Sequence, residues 1–134
     1  MLTVEMVERV TQHFINGNRY RYAMVSGRWP TEDEDREVIL RGRCCLVAAF
    51  IGCDETVPLS NYKHHFADER KQMELLPFVK EYCETHQKGF IENRDRRYAC
   101  TMAMLPMSFN DENDDSTVLS FLNWLKGKLS DGST

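Results

Sequence analysis

Five cysteines and four histidines are the side chains of this 134-residue sequence best suited to nucleophilic or metal chemistry. Cys83 and His86, three residues apart, would share one face of a helix, and His64-His65 and Cys44-Cys45 offer further ligands. A tetrahedral metal site needs a second pair at a matching spacing, and no C-x-x-C or equivalent pair supplies it. His64 and His65 also leave any helix in different directions. The sequence therefore predicts no metal site and no cofactor. A cysteine nucleophile would need a thiol of lowered pKa within reach of an imidazole. Cys53 follows Gly52 at an expected helix C-terminus, the end whose dipole raises a thiol pKa. There is no G-x-S-x-G elbow and no phosphate-cradling glycine loop. The acidic runs at 32–35 and 111–115 read as solvated segments, because the second lacks the glycine and terminal glutamate of a calcium loop. The chain is thus expected to have no catalytic residues.

Cations interleaved with rings are the remaining candidates. Arg19, Tyr20, Arg21 and Tyr22 are consecutive, Arg28 and Trp29 follow, and Arg94, Arg96 and Arg97 form a second cluster ahead of Tyr98. Tyr, Trp and Arg are enriched at protein–protein hot spots, where rings supply contact area and guanidinium groups pair with carboxylates. The same mixture can stack bases and hold phosphates. A third reading is internal: Tyr22 and Trp29 pin the segment to the core while the arginines pair with residues 32–35. The net charge of −4 disfavours a general polyanion binder, whose affinity comes from cation–phosphate contact. A protein partner is the first expectation, and a nucleic-acid module using the same cations is the second.

These residues need elements to position them. Thr3 can cap a helix with Val4, Val7, Val10 and Phe14 on one stripe, and Gly17 can end it. Arg19 to Tyr22 alternates like a strand, but Gly27 and Pro30 cut it short, giving a structured loop or short hairpin. Thr31 and Glu34 form a capping box. It opens a helix expected to run through the all-apolar residues 44–51 in the middle of the fold, until Gly52 stops it. Ser60 can cap a segment from Asn61 to Met73. Pro77 is placed in the first turn of a further helix with Leu76, Val79, Tyr82 and Cys83 inside, ended by Gly89. Arg94 to Leu105 reads as another helix, halted by Pro106. Ser116 caps a last one carrying Val118, Phe121, Leu122, Leu125 and Leu129, before a frayed tail at 130–134.

The sum is an all-α fold, a single bundle of five or six helices spanning residues 1–134. Leu, Ile, Val and Phe make up about 23% of the chain, above the ~20% below which charged chains tend toward disorder. The longest apolar run is far short of the ~20 residues that cross a bilayer. With an odd cysteine count and no basic, apolar leader, the protein is expected in a reducing cytoplasm, away from membranes.

The segments MLTVEMVERVTQHF and REVILRGRCCLVAAFIG resemble small accessory proteins of temperate enterobacterial bacteriophages, in particular the replication protein B group, which delivers the host replicative helicase to the phage origin. The resemblance implies a helical adaptor or inhibitor that binds a host replication or defence protein without catalysis of its own. It carries over no individual residue.

Overall fold

Thr3 starts the first helix as its sequence requires. Its hydroxyl accepts from the Met6 amide at 3.2 Å, and α1 runs over Val4–Ile15 with Val7, Val10 and Phe14 buried. Gly17 takes φ +82, and two bonds, Gly17 N–H to the Phe14 carbonyl and Asn18 N–H to the His13 carbonyl, close the end. That is the paired arrangement which a left-handed glycine permits. The structure is a computed structural model that describes residues 1–21, 25–26, 29–30, 35–57, 64–86 and 105–131. The capping box at 31–34, the Ser60 cap, Gly89 and the helix expected between Arg94 and Met104 lie outside the described residues.

The long second helix is two elements instead of one. Asp35 caps a 3₁₀ helix over Arg36–Arg41, residues 42–45 are extended, and α2 covers Leu46–Cys53. At the break, the Cys44 amide donates to the Asn18 carbonyl and its carbonyl accepts from Tyr20, both at 2.9 Å. Ser26 N–H reaches the Arg43 carbonyl at 2.9 Å from the other side. These partners replace the i±4 bonds a continuous helix would have made there. Leu46 to Gly52 are all buried, as expected of an element that is apolar all round. Gly52 does not end the helix. It sits inside it, where an added Cβ would come within 3.1 Å of Leu40 and 3.3 Å of Ile39, so its missing side chain lets the 3₁₀ helix pack closely.

The two segments expected on either side of Pro77 are likewise one helix, α3, over His64–His86. Pro77 lies in its interior, on the exposed side. The carbonyl it leaves without an amide belongs to Met73, a residue 57% exposed, so water can take the bond and the helix continues. Leu75, Leu76, Val79, Tyr82 and Cys83 form the inner face. Pro106 starts a helix where the sequence reading had it stop one. It stands in the first turn of α4, Leu105–Glu112, where a missing N–H costs no intrahelical bond. Residue 111, expected in a solvated loop, is therefore helical. The cap of α5, Asp115–Asp131, is Asp114 and not Ser116: its carboxylate accepts from the Thr117 amide at 2.8 Å. α5 also continues past the expected tail boundary, with Ser130 Oγ bonded to the Lys126 carbonyl.

The fold is an all-α bundle. α2 lies at its centre, touching α1, α3, α4 and the 3₁₀ helix, while α1 packs along α5 and α3 against α4. Tyr82, Phe109, Phe121 and Trp124 meet edge to face where α3, α4 and α5 converge. No helix among the described residues is long and apolar enough to cross a membrane. Proline in a helix interior costs about 3 kcal/mol relative to alanine, partly offset by its stiffening of the unfolded chain. Pro77→Ala should therefore raise stability by about 1–2 kcal/mol, read as an upward shift of the urea midpoint.

Candidate partner-binding surface

The helical elements leave residues 19–21 against the α4–α5 elbow, and the two arginines there divide. Arg19 turns inward, with its side chain only 3% exposed. Its Nε donates to Asp115 Oδ1 at 2.6 Å, Nη1 to the Asn110 carbonyl at 2.5 Å, and Nη2 to the Asn113 carbonyl at 2.8 Å. Arg21 stays exposed, yet its Nε and Nη2 both reach the Asp111 carbonyl, at 2.9 and 2.6 Å. The last carbonyls of a helix have no intrahelical donors. Two arginines from residues 19–21 supply them for α4. Asn110, fully buried, completes the joint. Its Nδ2 donates to the Tyr20 carbonyl at 2.9 Å and its Oδ1 accepts from the Leu46 amide at 3.2 Å.

Arg19 is therefore a correction to the sequence reading: it is sealed inside and holds the fold, and so offers no partner surface. Trp29 is half-buried and packs against the core. Tyr22, Arg28, Arg94, Arg96 and Arg97 lie outside the described residues. Tyr20 remains accessible, half-buried, with the Arg43 guanidinium 5.6 Å above its ring centre. Arg43 belongs to the segment that the sequence reading made part of one continuous helix ending at Gly52. It is exposed, as are Arg41, Gly42 and Ser26 beside it. Among the described residues, no ion pair engages Arg41 or Arg43, and residues 15–21, 25–26 and 38–44 hold no carboxylate. The R-G-R spacing was the available signal. It was obscured because a continuous helix would have splayed the two side chains apart.

Burial pushes Cys53 up to about 11 and Cys83 up to about 12, and raises Cys44 further. All three are protonated packing groups at neutral pH. His86 stacks on Tyr82 at 4.3 Å, with Nδ1 3.1 Å from the Tyr82 carbonyl, while Cys83 is fully buried. No three His, Cys, Asp or Glu side chains among the described residues are grouped to hold a metal ion.

A cleft of about 510 Å³ opens between α1, the 3₁₀ helix and the end of α2, lined by Met6, Arg9, Arg36, Glu37, Cys53 and Glu55 among others. Its cations are already engaged. Arg9 pairs with Glu37, and Arg36 bonds the carbonyls of Ile51, Asp54 and Val57 at the end of α2. Behind it, fully buried Asp54 and Lys71 form an ion pair, extended by Glu74 at 2.6 Å from Lys71. Burial pushes the Asp54 carboxyl up, but bonds from Lys71 and from the Thr56 hydroxyl and amide outweigh it and hold the group well below the usual carboxylate range. Comparison with protein-family models, curated proteins and solved structures found no match.

Loss of the buried Arg19 bonds should leave helix carbonyls without donors, so Arg19→Ala should cost about 2–4 kcal/mol in urea unfolding. Arg43→Ala should stay within about 0.5 kcal/mol of wild type. Because the folded pKa of Asp54 lies below the unfolded value, its contribution is complete above that value and lost as pH falls. The stability gap between wild type and Asp54→Asn should therefore be full near neutral pH, begin to narrow only below about pH 4, and keep shrinking as pH falls toward the much lower folded value.

Proposed function

We propose that this chain works by non-covalent capture of another protein, without chemistry of its own, through the ledge formed by Tyr20, Arg41 and Arg43. The observation that carries the reading is the Arg43 guanidinium laid over the Tyr20 ring, 5.6 Å from its centre, on backbone fixed from both sides. Tyr20 is tied by its amide to Cys44 and by its carbonyl to Asn110, and Arg43 is tied by its carbonyl to Ser26. A ring and a cation held in place before binding lose little side-chain freedom on contact, which favours affinity. Arg21 borders the ledge while tethered to α4. The partner class comes from the resemblance of the two sequence segments: a host replication or defence protein, met in the cytoplasm of a bacterium infected by a temperate phage, with this chain as adaptor or inhibitor.

A polyanion fits the ledge less well. Arg19 is consumed by the fold, and a net charge of −4 opposes the multi-phosphate contact on which nucleic-acid affinity rests. Affinity purification from host lysate followed by mass spectrometry tests the reading when wild type is run beside the double variant Tyr20→Ala, Arg43→Ala. The expected result is one host protein retained by wild type and lost by the variant, with matching circular dichroism. Equal retention by both proteins removes the ledge as the capture face. Retention that disappears on nuclease treatment points to nucleic acid and overturns the reading.

A further inference from the structure

We infer that His13 is an acid-sensitive latch: its neutral ring fastens the last turn of α1 to the extended link at Gly42, and protonation releases that link. The ring is half-buried and bonded to the backbone of Gly42, while its Nε2 is buried with no hydrogen-bond partner. Nδ1 is then the nitrogen that donates to the Gly42 carbonyl, and Nε2 carries the lone pair of the neutral imidazole. The same residue holds the link a second time through its backbone. Its carbonyl accepts from the Asn18 amide at 3.3 Å, and the Asn18 carbonyl accepts from the Cys44 amide at 2.9 Å. The Cys44 carbonyl in turn accepts from the Tyr20 amide at 2.9 Å. One histidine thus ties α1 to the link at Gly42 directly and at Cys44 through one residue.

A proton taken from solvent has to enter at Nε2, which is enclosed and has no acceptor. Burying a charge without a partner is costly, and the neutral form wins instead. Burial accordingly holds the imidazole below its ordinary 6.5; the Gly42 bond opposes this, and the Arg9 charge one turn earlier adds to it. The other charges nearby do not offset the penalty. Glu37 is paired with Arg9, and α2, packed on α1, carries no charged side chain over Leu46–Cys53. On α5, packed along α1, Asp115 is held by Arg19, Lys126 reaches Glu8 at 3.8 Å and Lys128 reaches Glu81 at 2.6 Å. Arg41 and Arg43, on either side of Gly42 in the chain, are cations too. The ring gains its proton by turning out to water, and that movement breaks the bond to Gly42. The latch sets where residues 42–45 lie whether or not the ledge captures a partner, so it stands apart from that reading.

The experiment is an NMR titration of the full chain from about pH 8 to about pH 5, following the His13 ring Cε1–H together with the Gly42 and Cys44 amides. The expected result is a His13 midpoint below 6.5, with both amides moving at that midpoint. His13→Asn keeps a donor near the Nδ1 position and removes the titration, so neither amide should move over that range. His86→Gln should leave the wild-type transition in place. A His13 midpoint at or above 6.5, amides that ignore it, or an amide transition that persists in His13→Asn overturns the inference. If His13→Asn does not fold, coincidence of the ring and amide midpoints in wild type decides by itself. Urea unfolding gives a second reading with a fixed sign. The unfolded state takes up the proton first, so wild type should lose stability relative to His13→Asn as pH falls below about 6.5. The change is up to about tenfold in the unfolding constant per pH unit, until the folded midpoint is reached. A gap that stays constant, or moves the other way, overturns the latch.

Discussion

The bundle depends on satisfying backbone groups at one buried point, where Asn110 and Arg19 meet. Helices end with unbonded amides and carbonyls, and burying one unpaired costs about as much as a lost hydrogen bond. Three such loose ends converge there: the first amide of α2 at Leu46, the last carbonyls of α4, and the irregular backbone at Tyr20. One amide side chain and one guanidinium serve all three. Asn has both a donor and an acceptor end, and Arg has five donors in a rigid fork, so no smaller polar set would serve. The joint also explains why an apolar central helix can begin in the interior without a conventional cap: the only side chain offered by its own sequence is the Cys45 thiol, 3.4 Å from the Ala48 amide.

The opposite end of α2 is managed the same way. Arg36 collects the carbonyls of Ile51, Asp54 and Val57, and Asp54 turns its carboxylate to the buried Lys71. Buried ion pairs contribute little net stability compared with apolar packing, but removing one partner is costly because the other charge stays behind. Lys71 and Asp54 thus fix how α3 docks against the end of α2 more than they add to overall stability. Four of the described arginines fall into two groups. Arg19 and Arg36 are structural donors directed at helix ends, whereas Arg41, at the end of the 3₁₀ helix, and Arg43, on the extended link after it, are exposed.

That division separates what was legible from what was not. The amphipathic helices α1 and α5 are readable because their apolar residues recur at helical spacing and one face meets the core. Their caps are local, and even the Ser116 error is a shift of two residues. The central segment misled because residues 44–51 are apolar on every side, so periodicity carries no information about where helix gives way to extended chain. Pro106 was read by the usual rule that proline breaks helices, and Pro77 was placed in a first turn, where proline is tolerated. Whether proline breaks a helix depends on which carbonyl or amide is left over, and on whether that group meets water or lies in a first turn.

By itself, the sequence determined an all-α chain with a buried α2, packing thiols and an aromatic stretch held on irregular backbone. Those properties follow from local spacing, capping chemistry and the apolar content of each segment. Which arginines face inward was decided only by the tertiary structure. Arg19 and Arg43 have the same side chain, and they differ because one points at the unpaired carbonyls of a helix 91 residues away and the other lies exposed over the Tyr20 ring. Propensity and periodicity act over a few residues, whereas the need to satisfy buried polar groups is met by whatever the fold brings near.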